Sequence, residues 1–163
     1  MELLLNDSFK RILTLLEEAE SIKGRIKFQK IVYILKNKEI PFKEKFKYHY
    51  FGPFSSDLQL EIDELVSRGI LVEKNINPYV YEINKESGIE FEKDLFLSKK
   101  KDLITLLNKR DFKELEVTST IYFLENNGLK EEKILRKKVQ ALKPHLKDYI
   151  DASFKLKEEI CKM

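Results

Sequence analysis

From Phe42 to Phe54 the sequence leaves the three-to-four-residue apolar spacing of its surroundings and alternates aromatic with basic side chains. Phe42, Phe46, Tyr48 and Tyr50 fall on one side of that alternation, and Lys43, Lys45, Lys47 and His49 on the other. Successive side chains of an extended chain point to opposite faces, so the stretch predicts a strand with a buried aromatic face and a solvated basic one. These thirteen positions hold six of the eighteen aromatic residues. So apolar a face must be covered, and the flanking sequence offers helices to cover it.

Residues 7–20 predict a helix capped by Asp7 or Ser8, with Phe9, Ile12, Leu13, Leu16 and Ala19 at helical spacing. Ser21 to Gly24 interrupt it. A second helix over 25–37 turns Ile26, Ile31, Ile34 and Leu35 inward beside Phe28 and Tyr33. After the aromatic strand, Gly52-Pro53 reads as a turn. Ser56 followed by Gln59 then fits a capping box that opens a third helix to about Arg68. Residues 70–73 and 79–83, joined by Asn75-Ile76-Asn77-Pro78, predict a hairpin. Helix, helix, strand, helix and hairpin in that order predict a winged-helix-like unit over 1–84.

The remainder, 85–163, reads as helices: one or two over 93–109, one from Asp111 to Gly128, one over roughly 130–142, and a last opened by Pro144. The expected fold class is mainly α with a small β-hairpin. A winged-helix-like N-terminal half packs against C-terminal helices in one compact domain, 1–163.

Composition removes several classes of function. One cysteine (Cys161) and two histidines (His49, His145) cannot make a disulfide framework or an ordinary Cys/His zinc site. Apolar runs are as short as Leu3-Leu4-Leu5, so no membrane span is expected. No basic residue precedes Lys10, against the pattern of a secretion signal, and a cytoplasmic location is expected. The glycines stand singly, which excludes a phosphate-cradling loop, and no serine sits in a nucleophile elbow. No carboxylates read as a spaced, buried pair. No catalytic residue, metal or cofactor is expected, and the chain reads as a non-enzyme.

Charge patterning supplies two candidate surfaces. The net charge is only +3, but residues 23–47 hold nine basic residues against Glu39 and Glu44. The third helix by contrast exposes Asp57, Glu61 and Glu64 at helical spacing. With Asp63 they would oppose phosphate in a recognition helix, so Asp57, Glu61 and Glu64 are the candidate contacts for a protein partner. The alternative is nucleic acid, held by Lys27, Lys30, Lys43, Lys45 and Lys47. Nucleic acid is disfavoured as a partner, and a homodimer stays open.

Four segments carry a family resemblance. Gly24-Arg-Ile-Lys-Phe-Gln-Lys-Ile-Val-Tyr33, Phe46-Lys-Tyr-His-Tyr-Phe-Gly-Pro-Phe-Ser55 and Leu115-Glu-Val-Thr-Ser-Thr-Ile-Tyr-Phe-Leu124, with Leu142-Lys-Pro-His145, resemble the YwgA-type family of small bacterial and archaeal proteins. The first half is similar, less closely, to the Panacea domain of antitoxins, where a lysine- and tyrosine-bearing helix precedes an aromatic strand, a Gly-Pro turn and a capped helix. That resemblance implies a toxin-neutralising module or an adaptor that delivers a toxin to a protease. Gly52, Pro53, Ser55 and Ser56 form its structural motif, in which the turn lets Ser55-Ser56 cap the third helix.

Overall fold

The computed structural model describes residues 6–74 and 77–163. The Leu3–Leu5 run and Asn75-Ile76 of the hairpin connection lie outside the described residues. Helix α1 (Asp7–Ala19) is capped by Asn6, whose side chain accepts from Phe9 N at 2.8 Å, rather than by Asp7 or Ser8. Its capping carbonyl lies one position before the residues that the sequence pattern favours. A short strand β1 (Ile22–Lys23) follows, unforeseen because two residues carry no periodicity. Helix α2 (Arg25–Lys36) buries every position from Phe28 to Leu35.

Residues 41–46 are irregular, and only Lys47–His49 form strand β2, paired antiparallel with β3 (Gly52–Phe54). Burial nevertheless alternates from 42 to 49 as the sequence pattern implies. Phe42 is 3% exposed, Phe46 and Tyr48 are half-buried, and Lys43, Lys45, Lys47 and His49 face solvent. The pattern fails at Tyr50, which is 81% exposed. His49 pairs with Gly52, so Tyr50-Phe51 is the two-residue turn, and Gly52-Pro53 belongs to a strand instead. Pro53 tolerates a strand because this two-stranded ribbon leaves its nitrogen side unpaired.

Helix α3 (Ser56–Ser67) starts at Ser55, whose hydroxyl accepts from Leu58 N at 3.2 Å. The capping box at Ser56 is therefore corrected by one residue, and Gln59 donates to Asp63 instead of reaching back. Strands β4 (Leu71–Lys74) and β5 (Val80–Ile83) form the expected hairpin, and β1 adds to it in the order β1-β5-β4.

Helices α4 (Leu95–Ser98), α5 (Lys101–Asn108), α6 (Phe112–Asn126) and α7 (Glu132–Leu142) follow. Pro144 opens a 3-10 turn, Pro144–Tyr149, before α8 (Ile150–Cys161). The protein is thus mainly α with a small antiparallel sheet. Its larger core joins α1, α2, α3, α5 and the β1-β5-β4 sheet; the smaller joins α6, α7, the 3-10 turn and α8. Helix α6 serves both, giving Leu115 and Tyr122 to the first and Val117, Ile121 and Leu124 to the second. Among the described residues, no helix is long and apolar enough to cross a membrane.

Two neighbours in the aromatic segment should respond oppositely to truncation. Phe42→Ala empties a filled core site and should cost about 3–5 kcal/mol in urea unfolding. Tyr50→Ala removes a side chain that the core does not touch and should stay within about 0.5 kcal/mol. Equal costs would contradict the register described.

Candidate functional site

The four segments that carry the family resemblance meet at the β2–β3 hairpin. Helix α2 approaches it with Gln29 and Lys30, which neighbour each other on a fully buried stretch. The Gln29 amide donates to Ser55 O and its oxygen accepts from Ser55 N, both at 2.9 Å. That two-bond clamp fixes the residue that caps α3. Lys30, 1% exposed, donates from Nζ to Pro53 O at 2.6 Å.

Helix α6 and the residue after α7 close the other side. Buried Lys143 donates to Tyr50 O at 2.7 Å, and its Nζ lies 3.1 Å from Glu116 Oε2. The carboxylate is thus an ion-pair partner of Lys143, off the line that a hydrogen bond needs. The Lys143 ammonium also sits 5.4 Å from the Tyr48 ring centre. Gly52 packs directly on α6, with φ +92°, and an added Cβ would stand 3.2 Å from Thr120 Oγ1. Only glycine combines that backbone angle with so close an approach. Two buried ammonium groups and one buried carboxylate thus clamp both ends of the Tyr50–Pro53 backbone.

This arrangement explains why one lysine yields its charge more readily than usual. Burial pushes the Lys30 ammonium down to about 7, with Glu116 opposing and Lys143 assisting. The cluster holds one carboxylate for two lysines. The expectation that Lys30 lies on a basic surface is therefore corrected: it is internal. Lys27 is half-buried and donates to Asn108 O at the end of α5. Lys43, Lys45 and Lys47 are exposed as expected. The five lysines do not share one solvent face.

A second polar feature lies at Glu44 and Glu61. Glu44 is 3% exposed, and neither of its carboxylate oxygens has a hydrogen-bond partner; buried Glu61 Oε2 also lacks one. Burial, then the Glu44 and Asp57 charges, push the Glu61 carboxyl up to about 7, against a lowering contact from the Ser8 hydroxyl. Glu61 is therefore half-buried and not a freely exposed contact, whereas Asp57 and Glu64 do face solvent. Glu64 is engaged by Arg68 at 2.5 Å. Between them on the outer face of α3 stands Leu60, 67% exposed. Among the described residues, no three His, Cys, Asp or Glu side chains gather as a metal ion would need.

The three residues set aside as poor catalysts are all exposed. His49 meets the Phe54 ring at 5.4 Å, and His145 lies in the 3-10 turn. Cys161 borders an open groove beside the Glu125–Lys157 ion pair. Sequence reasoning missed Gln29, Glu116, Thr120 and Lys143 as a group. The usable signal was that each stands inside a segment bearing the resemblance.

No family model and no solved structure matches the chain. It is 34% identical over 128 residues to the Bacillus subtilis (strain 168) protein named uncharacterised protein YwgA, covering 75% of this chain and 76% of that one.

Replacing Glu116 with Gln would strand Lys143 and leave two buried ammonium groups without a counter-charge. Glu116→Gln should cost about 3–5 kcal/mol in urea unfolding. A change below about 1 kcal/mol would show that the ion pair does not hold the hairpin.

The two displaced ionisations also give stability a pH signature. Folding raises the Glu61 carboxyl from 4.5 to about 7, so its contribution is fully present below 4.5 and is lost as pH rises through 7. Folding lowers the Lys30 ammonium from 10.5 to about 7, so its contribution is present above 10.5 and is lost as pH falls through 7. Glu61→Gln should gain stability relative to the native chain as pH rises from about 4.5 to 7, measured by calorimetry. A gap between the two proteins that is constant with pH would exclude the raised Glu61 carboxyl.

Proposed function

The chain belongs to the YwgA family, and from that premise we propose that it is a non-enzymatic protein-interaction module, antitoxin-like or adaptor-like. The observation that carries this reading is the outer face of α3, where exposed Leu60 stands between exposed Asp57 and Glu64. An apolar side chain ringed by carboxylates suits a basic partner that supplies an apolar contact of its own. The buried ionisable groups beneath the hairpin support the same reading. Lys30 is spent on a backbone carbonyl inside the fold, and neither it, Glu116 nor Lys143 lines an open groove described here. The likeness of the first half to the Panacea domain points to the same class of task. The order α1-β1-α2-α3-β4-β5, with the β2–β3 hairpin inserted between α2 and α3 and the three-stranded sheet ordered β1-β5-β4, supports a winged-helix-like reading of 1–84. The sharing of α6 between both cores supports reading 1–163 as one domain.

The second reading, a DNA- or RNA-binding regulator using the 23–47 surface, draws on exposed Lys43, Lys45 and Lys47. It loses Lys30 to burial and Lys27 to Asn108. A site of six to ten phosphate contacts would weaken by roughly 10³–10⁵ between about 50 and 200 mM salt. On the interaction reading, duplex binding is weak at physiological salt and Lys43→Ala, Lys45→Ala and Lys47→Ala leave it unchanged. A pulldown should recover a protein partner that Asp57→Lys and Glu64→Lys release, while unfolding stability moves by no more than about 0.5 kcal/mol. Tight, sequence-selective duplex binding at physiological salt would overturn the proposal.

A further inference from the structure

The β2–β3 hairpin ends in two aromatic side chains that the core does not use. Tyr50 is 81% and Phe51 47% exposed, and their rings meet edge to face at 4.9 Å. The backbone beneath them is held at both ends, by Lys143 at Tyr50 O and by Lys30 at Pro53 O. An aromatic pair on ordered backbone loses little freedom on binding, which is how interfaces use tyrosine and phenylalanine as anchors.

The patch extends beyond the tip. Tyr48 touches Phe123, and Gly52 meets Thr120 and Glu116, so the hairpin runs down α6 towards its N-terminus. Phe112 lies one helical turn before Glu116 on that side and is exposed. Leu142, also exposed, precedes the lysine that grips Tyr50 O. The solvated charges nearest in sequence to these four residues are Lys47, Lys113 and Lys138, with Asp111 the acidic exception. Glu44, Glu114 and Glu116, the other carboxylates of the region, are buried.

We infer that the hairpin tip, Tyr50 and Phe51 with Phe112 and Leu142 beside them, is a docking surface for an acidic protein segment that carries apolar anchor residues. This inference rests on the protein-interaction reading and adds a second contact to the α3 face. The positive rim selects an acidic occupant and opposes a second copy of the same patch. Single-stranded nucleic acid fits poorly, because successive stacked bases are parallel, whereas the two rings stand at 82° to one another.

The test is selection of displayed random peptides on the immobilised full chain at physiological salt, followed by affinity measurement on a synthesised winner. The expected winners combine Asp or Glu with Leu, Ile or Phe. Tyr50→Ala and Phe51→Ala should each weaken the winner by about tenfold or more, with the melting temperature unchanged. Asp57→Lys should leave that affinity as it was. Winners that lack carboxylates, or that bind Tyr50→Ala and the native chain equally, overturn the inference. Winners released only by Asp57→Lys and Glu64→Lys overturn it too, while leaving the interaction reading in place. Oligo(dT) binding or self-association that Tyr50→Ala abolishes would replace the acidic segment with nucleic acid or with a second copy.

Discussion

The rest of the structure depends on charge taken out of water at Lys30, Glu116 and Lys143. In a dry interior an unpaired ammonium group is costly, and an ion pair offsets that cost only when its hydrogen bonds are also satisfied. Here the lysines find carbonyl oxygens at opposite ends of one tight turn, Tyr50 O and Pro53 O. A two-stranded ribbon is marginal by itself. Anchoring it to α2 on one side and to α6 on the other turns it into a fixed element. A slip of one residue would move both carbonyls away from their donors and put the Gly52 position, pressed on Thr120, under a side chain.

That anchoring requires α6 to be buried on nearly every side, although it is rich in polar residues. Its hydroxyls resolve the conflict locally. Thr118 donates to Glu114 O at 2.8 Å, Thr120 to Glu116 O at 2.8 Å, and Ser119 to Glu116 O at 2.9 Å. Each hydroxyl is satisfied within its own helix and presents only a small, largely apolar outline to its neighbours. Small side chains also let β3 approach the helix backbone. The Thr-Ser-Thr run is thus a packing solution, and it sits where the Gly-Pro motif of the hairpin arrives.

The sequence was a good guide wherever a period extended over several residues. It placed α1, α2, α3, α6 and the β4–β5 hairpin, and it separated Phe42 from Lys43 correctly. It was a poor guide where the outcome depends on which element arrives from elsewhere. Nothing local distinguishes Lys30, which α6 and the hairpin cover, from Lys43, which nothing covers. Tyr50 continues the aromatic alternation but falls at a turn, where strand parity ends. Pro53 looked like a turn because proline rarely sits in a strand, and the short ribbon is the exception. Glu44 is different, since it shares parity with Phe42 and Phe46. The alternation itself pointed that carboxylate inward, and only the habit of placing charges in water argued otherwise.

Glu44 also ties together the two surfaces that charge patterning had separated. It lies between Lys43 and Lys45 in the chain, yet it faces inward, where its charge acts on Glu61 of α3. Turning it inward leaves the outer side of residues 43–47 purely basic. Burial, assisted by the Glu44 charge, pushes the Glu61 carboxyl up to about 7, so α3 is less acidic at neutral pH than its residue count implies. The negative charge α3 presents then rests on Asp57, Asp63 and Glu64, and Glu64 is already shared with Arg68. What is left facing solvent between them is the apolar surface of Leu60. A net charge of +3 says little about such a protein, because burial decides which of its charges a partner meets.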